Sequence, residues 1–153
     1  MAFLVDTNVI VRWLLPHDPL SQPAVTAIDT LQGRGETIYV GAQNLIELWN
    51  VATRPPTANG LGMAPTRAAE ELNRLEALFP LLDDVPAIYR RWRILVEREG
   101  VIGRQVYDAR LAAVMLVHAV THILTFNTDD FRRFPEIVAV DPREVGDDRR
   151  PRP

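Results

Sequence analysis

The run AFLV at residues 2–5 carries no polar residue on either set of alternate positions, and it stops at Asp6. A strand with one face in water alternates apolar and polar side chains, because successive residues point to opposite sides. An unbroken apolar run belongs instead to a strand covered on both faces, as in a parallel sheet. Parallel strands cannot be joined by tight turns and need crossovers, usually helical. The chain supplies them. Residues 7–15 have helical character, and residues 19–35 form a second helix closed by Gly33 and Gly35. TIYVG (37–41) is a β-branched and aromatic strand, and AQNLIELWNVATR (42–54) a helix with Leu45, Leu48, Trp49 and Ala52 on one side.

The loop PPTANGLGMAP (55–65) ends that helix and precedes another over 66–78. FPLLDD is a weaker strand candidate, and Pro86 opens a helix reaching Glu99. Residues 104–120 form a long helix whose second half is nearly all apolar, so deep burial is expected. THILTF is a strand, NTDDFRRF a short helical turn and IVAVDP a last short strand. Strands alternating with helices imply an α/β/α sandwich around a central parallel sheet of four to five strands. Without an internal repeat or linker, residues 1–145 form a single domain, and the charged, proline-rich stretch over 146–153 is expected to be disordered.

Composition removes whole classes of chemistry. There is no cysteine, which excludes disulfides and thiolate metal sites, and all 17 basic residues are arginine. Schiff-base catalysis, a P-loop lysine and a lysine general base go with the missing lysines. The formal charge of −3 is wrong for unspecific attraction to nucleic acid, so any such contact needs local arginines or a bound cation. No apolar run reaches the ~18–20 residues of a bilayer span, and no basic-then-apolar leader opens the chain. A cytoplasmic protein without membrane contact is expected.

Acid placement then carries the argument. Ligands of open parallel sheets bind beyond the carboxyl ends of the strands. Asp6 ends the first strand, Glu47 lies in the helix after the second, Asp108 stands near the start of the long apolar helix, and Asn127, Asp129 and Asp130 follow HILTF. Each has a plain alternative. Asp6 or Thr7 suits a helix cap, and Glu47 shares a stripe with Gln43, Asn50 and Arg54 that fits a solvated face. Asp108 suits a helix macrodipole, and Asn127, Asp129 and Asp130 suit a short helix start. Jointly they place acidic or amide oxygens from four segments at one sheet edge. A divalent cation relieves the repulsion of such a cluster, and oxygen-only donors suit Mg2+ or Mn2+ rather than zinc. Phosphodiester hydrolysis is the matching chemistry, and paired metals in such sites lie roughly 3.5–4 Å apart.

FLVDTNVIV, NLIELWNVATRP, VYDARLAAVML and ILTFNTDDF, in this order and spacing over about residues 1–140, resemble the PIN domain, specifically VapC-type toxins of toxin–antitoxin pairs. The resemblance implies a Mg2+- or Mn2+-dependent ribonuclease, usually dimeric, held inactive by a VapB antitoxin. Asp6, Glu47 and Asp108 match the family's metal-binding acids, Asn8 a polar residue supporting the first acid, and Thr125 the hydroxyl residue before the fourth acidic position. That fourth position is Asn127 here, and an amide brings no negative charge. Whether one or two metals bind therefore stays open, with Asp129 near enough to compensate.

Other features are weaker. His118 and His122, four residues apart, have no further imidazole or thiol neighbours in sequence and fit structural roles. His17 lies in a polar loop. In YRRWRILVER, Arg90, Arg91 and Arg93 could hold RNA phosphates, against a solvated face with Trp92 turned inward. The 55–65 loop could clamp RNA or antitoxin, or simply connect. Two other functions fit less well. A haloacid-dehalogenase-like phosphatase, with Asp6 as nucleophile, wants a second aspartate where Asn8 stands and a lysine the chain lacks. A non-catalytic PIN-like interaction module is favoured only by Asn127.

Overall fold

The structure is a computed structural model describing residues 1–146. Apart from Gly146, the tail expected to be disordered lies outside the described residues. Strand β1 (Ala2–Val5) leads into α1 (Thr7–Leu14) and α2 (Ser21–Gly33), and β2 (Thr37–Gly41) runs directly into α3 (Ala42–Thr53). Then follow α4 (Pro65–Leu78), β3 (Leu81–Leu82), α5 (Pro86–Glu99), α6 (Gln105–Val117), β4 (His122–Leu124) and β5 (Val138–Val140). Short 3-10 turns occupy Pro56–Ala58, Thr128–Phe131 and Pro142–Glu144.

The five strands are all parallel, in the order β3-β2-β1-β4-β5. From central β1 the chain winds outward to β2 and β3, then returns to β4 and β5 on the other side. The winding therefore reverses between β1 and β4, and a crevice opens at their carboxyl ends. Their register, Val5 opposite Leu124, sets Asp6 and Thr125 side by side at that crevice.

Alternate residues of β1 feed two separate cores. Phe3 and Val5 pack with Ile38, Val40 and Leu124 beneath Val9, Ile28, Leu48 and Leu75 of α1 to α4. Leu4 and Ile123 face Leu95 of α5 and Ala109 and residues 111–115 of α6. This is the α/β/α sandwich that the unbroken AFLV run implies, with all five candidate strands present. FPLLDD pairs over only two residues because β3 is an edge strand held by Val40 and Gly41. Burial in α6 is deep through Met115, while Leu116 and Val117 are half-buried at its end. None of the described helices is long and apolar enough to cross a membrane.

The 55–65 loop folds back on α3. Leu61, Gly62 and Met63 donate backbone N–H groups to the carbonyls of Val51, Arg54 and Ala52 at 2.8–2.9 Å. These bonds satisfy acceptors that a helix end leaves free. Gly60 passes so close that a Cβ there would lie 1.9 Å from the Arg54 carbonyl oxygen, so a side chain is excluded. The loop is thus a built wall rather than a slack connection.

Candidate active site

Asp6 is set by the junction of β1 with β4. Its N–H donates to the Leu124 carbonyl at 2.9 Å, which continues the sheet pairing one residue beyond the strand. Its Oδ1 accepts the Thr7 N–H at 2.8 Å and caps α1. Oδ2 accepts the Thr125 hydroxyl at 2.8 Å and the Asn8 amide at 3.2 Å. Thr125 is fully buried, and its oxygen also accepts from Asn8 (3.1 Å) and from the Asn127 N–H (3.0 Å). Asn8 Oδ1 receives the Phe126 N–H at 3.1 Å, so this amide ties the two strand ends together.

Glu47 is held from two sides. The Thr7 hydroxyl donates to Oε2 at 2.8 Å, and Gln43 Nε2 donates to Oε1 at 2.9 Å. The same Gln43 nitrogen reaches the Tyr107 carbonyl at 3.0 Å, linking α3 to the start of α6. Asn44 accepts the Gly41 N–H at 3.0 Å and donates to Thr7 Oγ1 at 3.4 Å. Sequence reasoning put Gln43 on a solvated face and considered Thr7 only as a cap; both are buried. The available signal was spacing, since Gln43 and Asn44 precede Glu47 by four and three residues on one helical side.

Asp108 differs from both. It lies in the first turn of α6, half-buried, without a hydrogen bond or ion pair among the described residues. Burial first, then the charges of Asp130, Asp6 and Glu47, push its carboxyl up to about 6 against a weak opposing effect of Arg133. Burial likewise raises Asp6 to about 6; its bonds from Thr125 and Thr7 oppose the rise, while Glu47 and Asp130 add to it. Asp130, not Asp129, is the acid that faces them. Asp129 is exposed and pairs with Arg132 at 2.9 Å, because the 3-10 turn points consecutive side chains apart. Asp129 does not line the cleft beside Asn127, whereas Asp130 does.

These groups bound a cleft of about 470 Å3. Asp6, Glu47, Asp108, Asn127 and Asp130 line it together with Arg12, Arg54, Asn59 and Leu61. Arg90, Arg91 and Arg93 do not line it. They are exposed on α5, with Arg93 paired to Glu97 at 2.6 Å, while Trp92 turns inward and donates to the Val106 carbonyl at 2.8 Å. The arginines that the fold brings to the cleft are instead Arg12, 3.6 Å from Asp18, and Arg54, which donates to the Asn59 carbonyl at 3.1 Å. His118 and His122 contact different partners, Asp83 O and Thr121 Oγ1.

Among the described residues no three acidic or imidazole side chains stand close enough to grip an ion as they are. The donor chemistry nevertheless fits a hard divalent cation. Asp6, Glu47, Asp108 and Asp130 share a cleft, none of the four is ion-paired to an arginine among the described residues, and two of these carboxyls are pushed up by burial and mutual charge. Such a set gains most from an outside positive charge.

The same architecture occurs in solved toxin–antitoxin structures. VapBC2 from Rickettsia felis, bound to a promoter DNA fragment, superposes with a TM-score of 0.69 at 17% identity, over 92% of this chain and 98% of that one. DNA-bound VapBC from Salmonella typhimurium gives 0.67 at 18% identity, over 93% and 98%. FitAcB from Neisseria gonorrhoeae gives 0.63 at 24% identity, over 94% and 99%. At these identities the likeness is one of fold. No curated protein sequence matches the chain. The PIN domain profile matches residues 3–137, from the first strand through the acid cleft, and the chain belongs to the PIN domain family.

Proposed function

We infer that this PIN-domain chain is a Mg2+- or Mn2+-dependent endoribonuclease, the VapC-type toxin of a toxin–antitoxin pair. One observation carries the reading: four carboxylates from separate elements share a cleft at the switch point of the sheet, and none of them is ion-paired to an arginine among the described residues. Asp6, Glu47 and Asp108 would hold the cation. When bound, it supplies charge stabilisation at phosphate oxygens and makes water acidic enough to attack phosphorus.

The chain's own residues do the rest. Thr125 and Asn8 fix the rotamer of Asp6, while Thr7 and Gln43 fix that of Glu47. Asp108, without such restraints, is free to swing toward an incoming ligand. The Asn127 amide lines the cleft and orients water or a phosphate oxygen, and Asp130 supplies the negative charge that Asn127 lacks. Residues 1–145 act as one nuclease domain. The fold shared with VapBC complexes supports a VapB-type antitoxin as partner; a homodimer as the working unit and a cytoplasmic site of action complete the proposal.

Purified protein, freed of any antitoxin, is expected to cleave single-stranded RNA with Mn2+ or Mg2+ and to stop on chelation. Asp108→Asn should lose cleavage on the order of 100-fold or more while melting as wild type does. Cleavage that persists in excess chelator, or in Asp108→Asn at the wild-type rate, overturns the assignment. RNA binding without any cleavage would favour the non-catalytic module, which Asn127 keeps in play.

A further inference from the structure

A second cavity, of about 640 Å3, adjoins the acid cleft, and Glu47 lines both. Its other walls include Gln43, Asn50, Arg104, Tyr107 and Arg110. Tyr107 is 59% exposed, has no aromatic or hydrogen-bonding neighbour for its ring and hydroxyl among the described residues, and immediately precedes Asp108. Arg104, one turn earlier, has no ion pair or hydrogen bond among the described residues, and the exposed Asn50 side chain has none either. Arg110 differs, being tied to Asp84 at 3.1 Å and to Gln43 at 3.3 Å.

An exposed tyrosine offers a large π-face to a partner, and an unpaired guanidinium beside it provides a site for an anion. The volume lies within the range of pockets that take small ligands. The backbone at Tyr107 is anchored, since its carbonyl is held by the same Gln43 nitrogen that holds Glu47. Its place is thus set relative to the acid cluster.

Resting on the ribonuclease reading, we propose that this cavity is the subsite for one nucleotide next to the scissile phosphate. Its base stacks on Tyr107, its phosphate meets Arg104, and the Asn50 amide contacts the base edge. Single-stranded RNA suits this pattern, because unpaired bases stack on aromatic side chains whatever their sequence and the backbone brings the anion. Asn50 adds a preference among bases.

Binding can be measured without catalysis, by anisotropy of a fluorescein-labelled, 2′-O-methylated single-stranded RNA with chelator present. Tyr107→Ala is expected to weaken binding by about 10-fold, in line with the loss of one base stack, whereas Tyr107→Phe binds as wild type does. With an abasic oligonucleotide of the same length, Tyr107→Ala and wild type should bind equally. Arg104→Gln is expected to weaken both probes and to reduce the salt dependence by about one phosphate contact. Equal affinity of Tyr107→Ala and wild type for the base-bearing RNA overturns the proposal, as does an equal loss on the abasic probe. Loss of self-association in Tyr107→Ala with RNA binding intact assigns the face to a second copy of the chain and also overturns it. A protein that binds with this pattern yet never cleaves keeps the subsite and sinks the nuclease reading. A protein that cleaves with Tyr107 irrelevant does the reverse.

Discussion

Asp6 and Asp141 occupy matching places in the sheet. Each follows a strand, β1 or β5, each caps the helical turn that comes next, and each is 8% exposed. Their company differs. Asp141 accepts the Arg143 N–H at 2.8 Å and is gripped by the same residue's guanidinium at 2.9 and 2.6 Å, which holds its carboxyl below the ordinary range. Asp6 receives only neutral donors, faces Glu47 and Asp130, and is pushed up to about 6. A capping aspartate that the chain neutralises itself gains little from an added cation; one left among like charges gains more. Capping and ligand roles are therefore compatible at Asp6, and what separates it from a purely structural cap is the missing arginine.

The largest test of that contrast exchanges charge for amide at both positions. Asp6→Asn is expected to reduce RNA cleavage on the order of 100-fold or more with its melting temperature unchanged or raised, because a disfavoured charge is removed. Asp141→Asn should keep full cleavage. If both variants cleave alike, the contrast has no functional meaning. Next in size, Thr125→Val removes the hydroxyl that orients Asp6 while preserving shape. Cleavage should fall by about 10–100-fold with Mn2+ affinity reduced, as for other residues that orient metal ligands. Activity at the wild-type level would show that Asp6 needs no such orientation.

The smallest effect is on stability. The Asp6 and Asp108 carboxyls are raised from 3.8 to about 6, so the folded state binds their protons more tightly than the unfolded chain does. Their contribution to stability is fully present below pH 3.8 and is lost as the pH rises through about 6. In chelator, the melting temperature should therefore fall between pH 4.5 and 7 by more in wild type than in Asp6→Asn. Mn2+ at pH 7 should recover part of the loss. Asp141 has the opposite sign, since its lowered carboxyl stabilises above the unfolded value and the benefit disappears as acid protonates it. Asp141→Asn should thus leave the fall between pH 4.5 and 7 unchanged and lessen the loss of stability on acidification below pH 3.8.

Local rules made much of this molecule legible from its residues. The unbroken AFLV run demanded cover on both faces and received it from two separate cores. Strand ends then placed Asp6, Thr125 and Asn127 together, because in a parallel sheet every carboxyl end lies at the same edge. Asn8, too, stands where motif order put it, joining the two strand ends. Such inferences succeed because they depend only on strand direction and side-chain alternation.

What failed depended on rotation and on distance through space. Whether Asp129 or Asp130 faces the cleft is set by how a four-residue turn leaves β4, which neither side chain dictates. Arg12 and Arg54 reach the cleft while the more conspicuous Arg90, Arg91 and Arg93 do not, because α1 and α3 end beside the switch point and α5 packs on α6. Thr7 and Gln43 hold Glu47 only because the helices after β1 and β2 lie side by side. The amino-acid sequence by itself determined the layers of the fold and the edge at which its acids gather. Only tertiary packing decided which side chains turn into that edge, since helix rotation and turn direction are settled by the whole core rather than by the residues that turn.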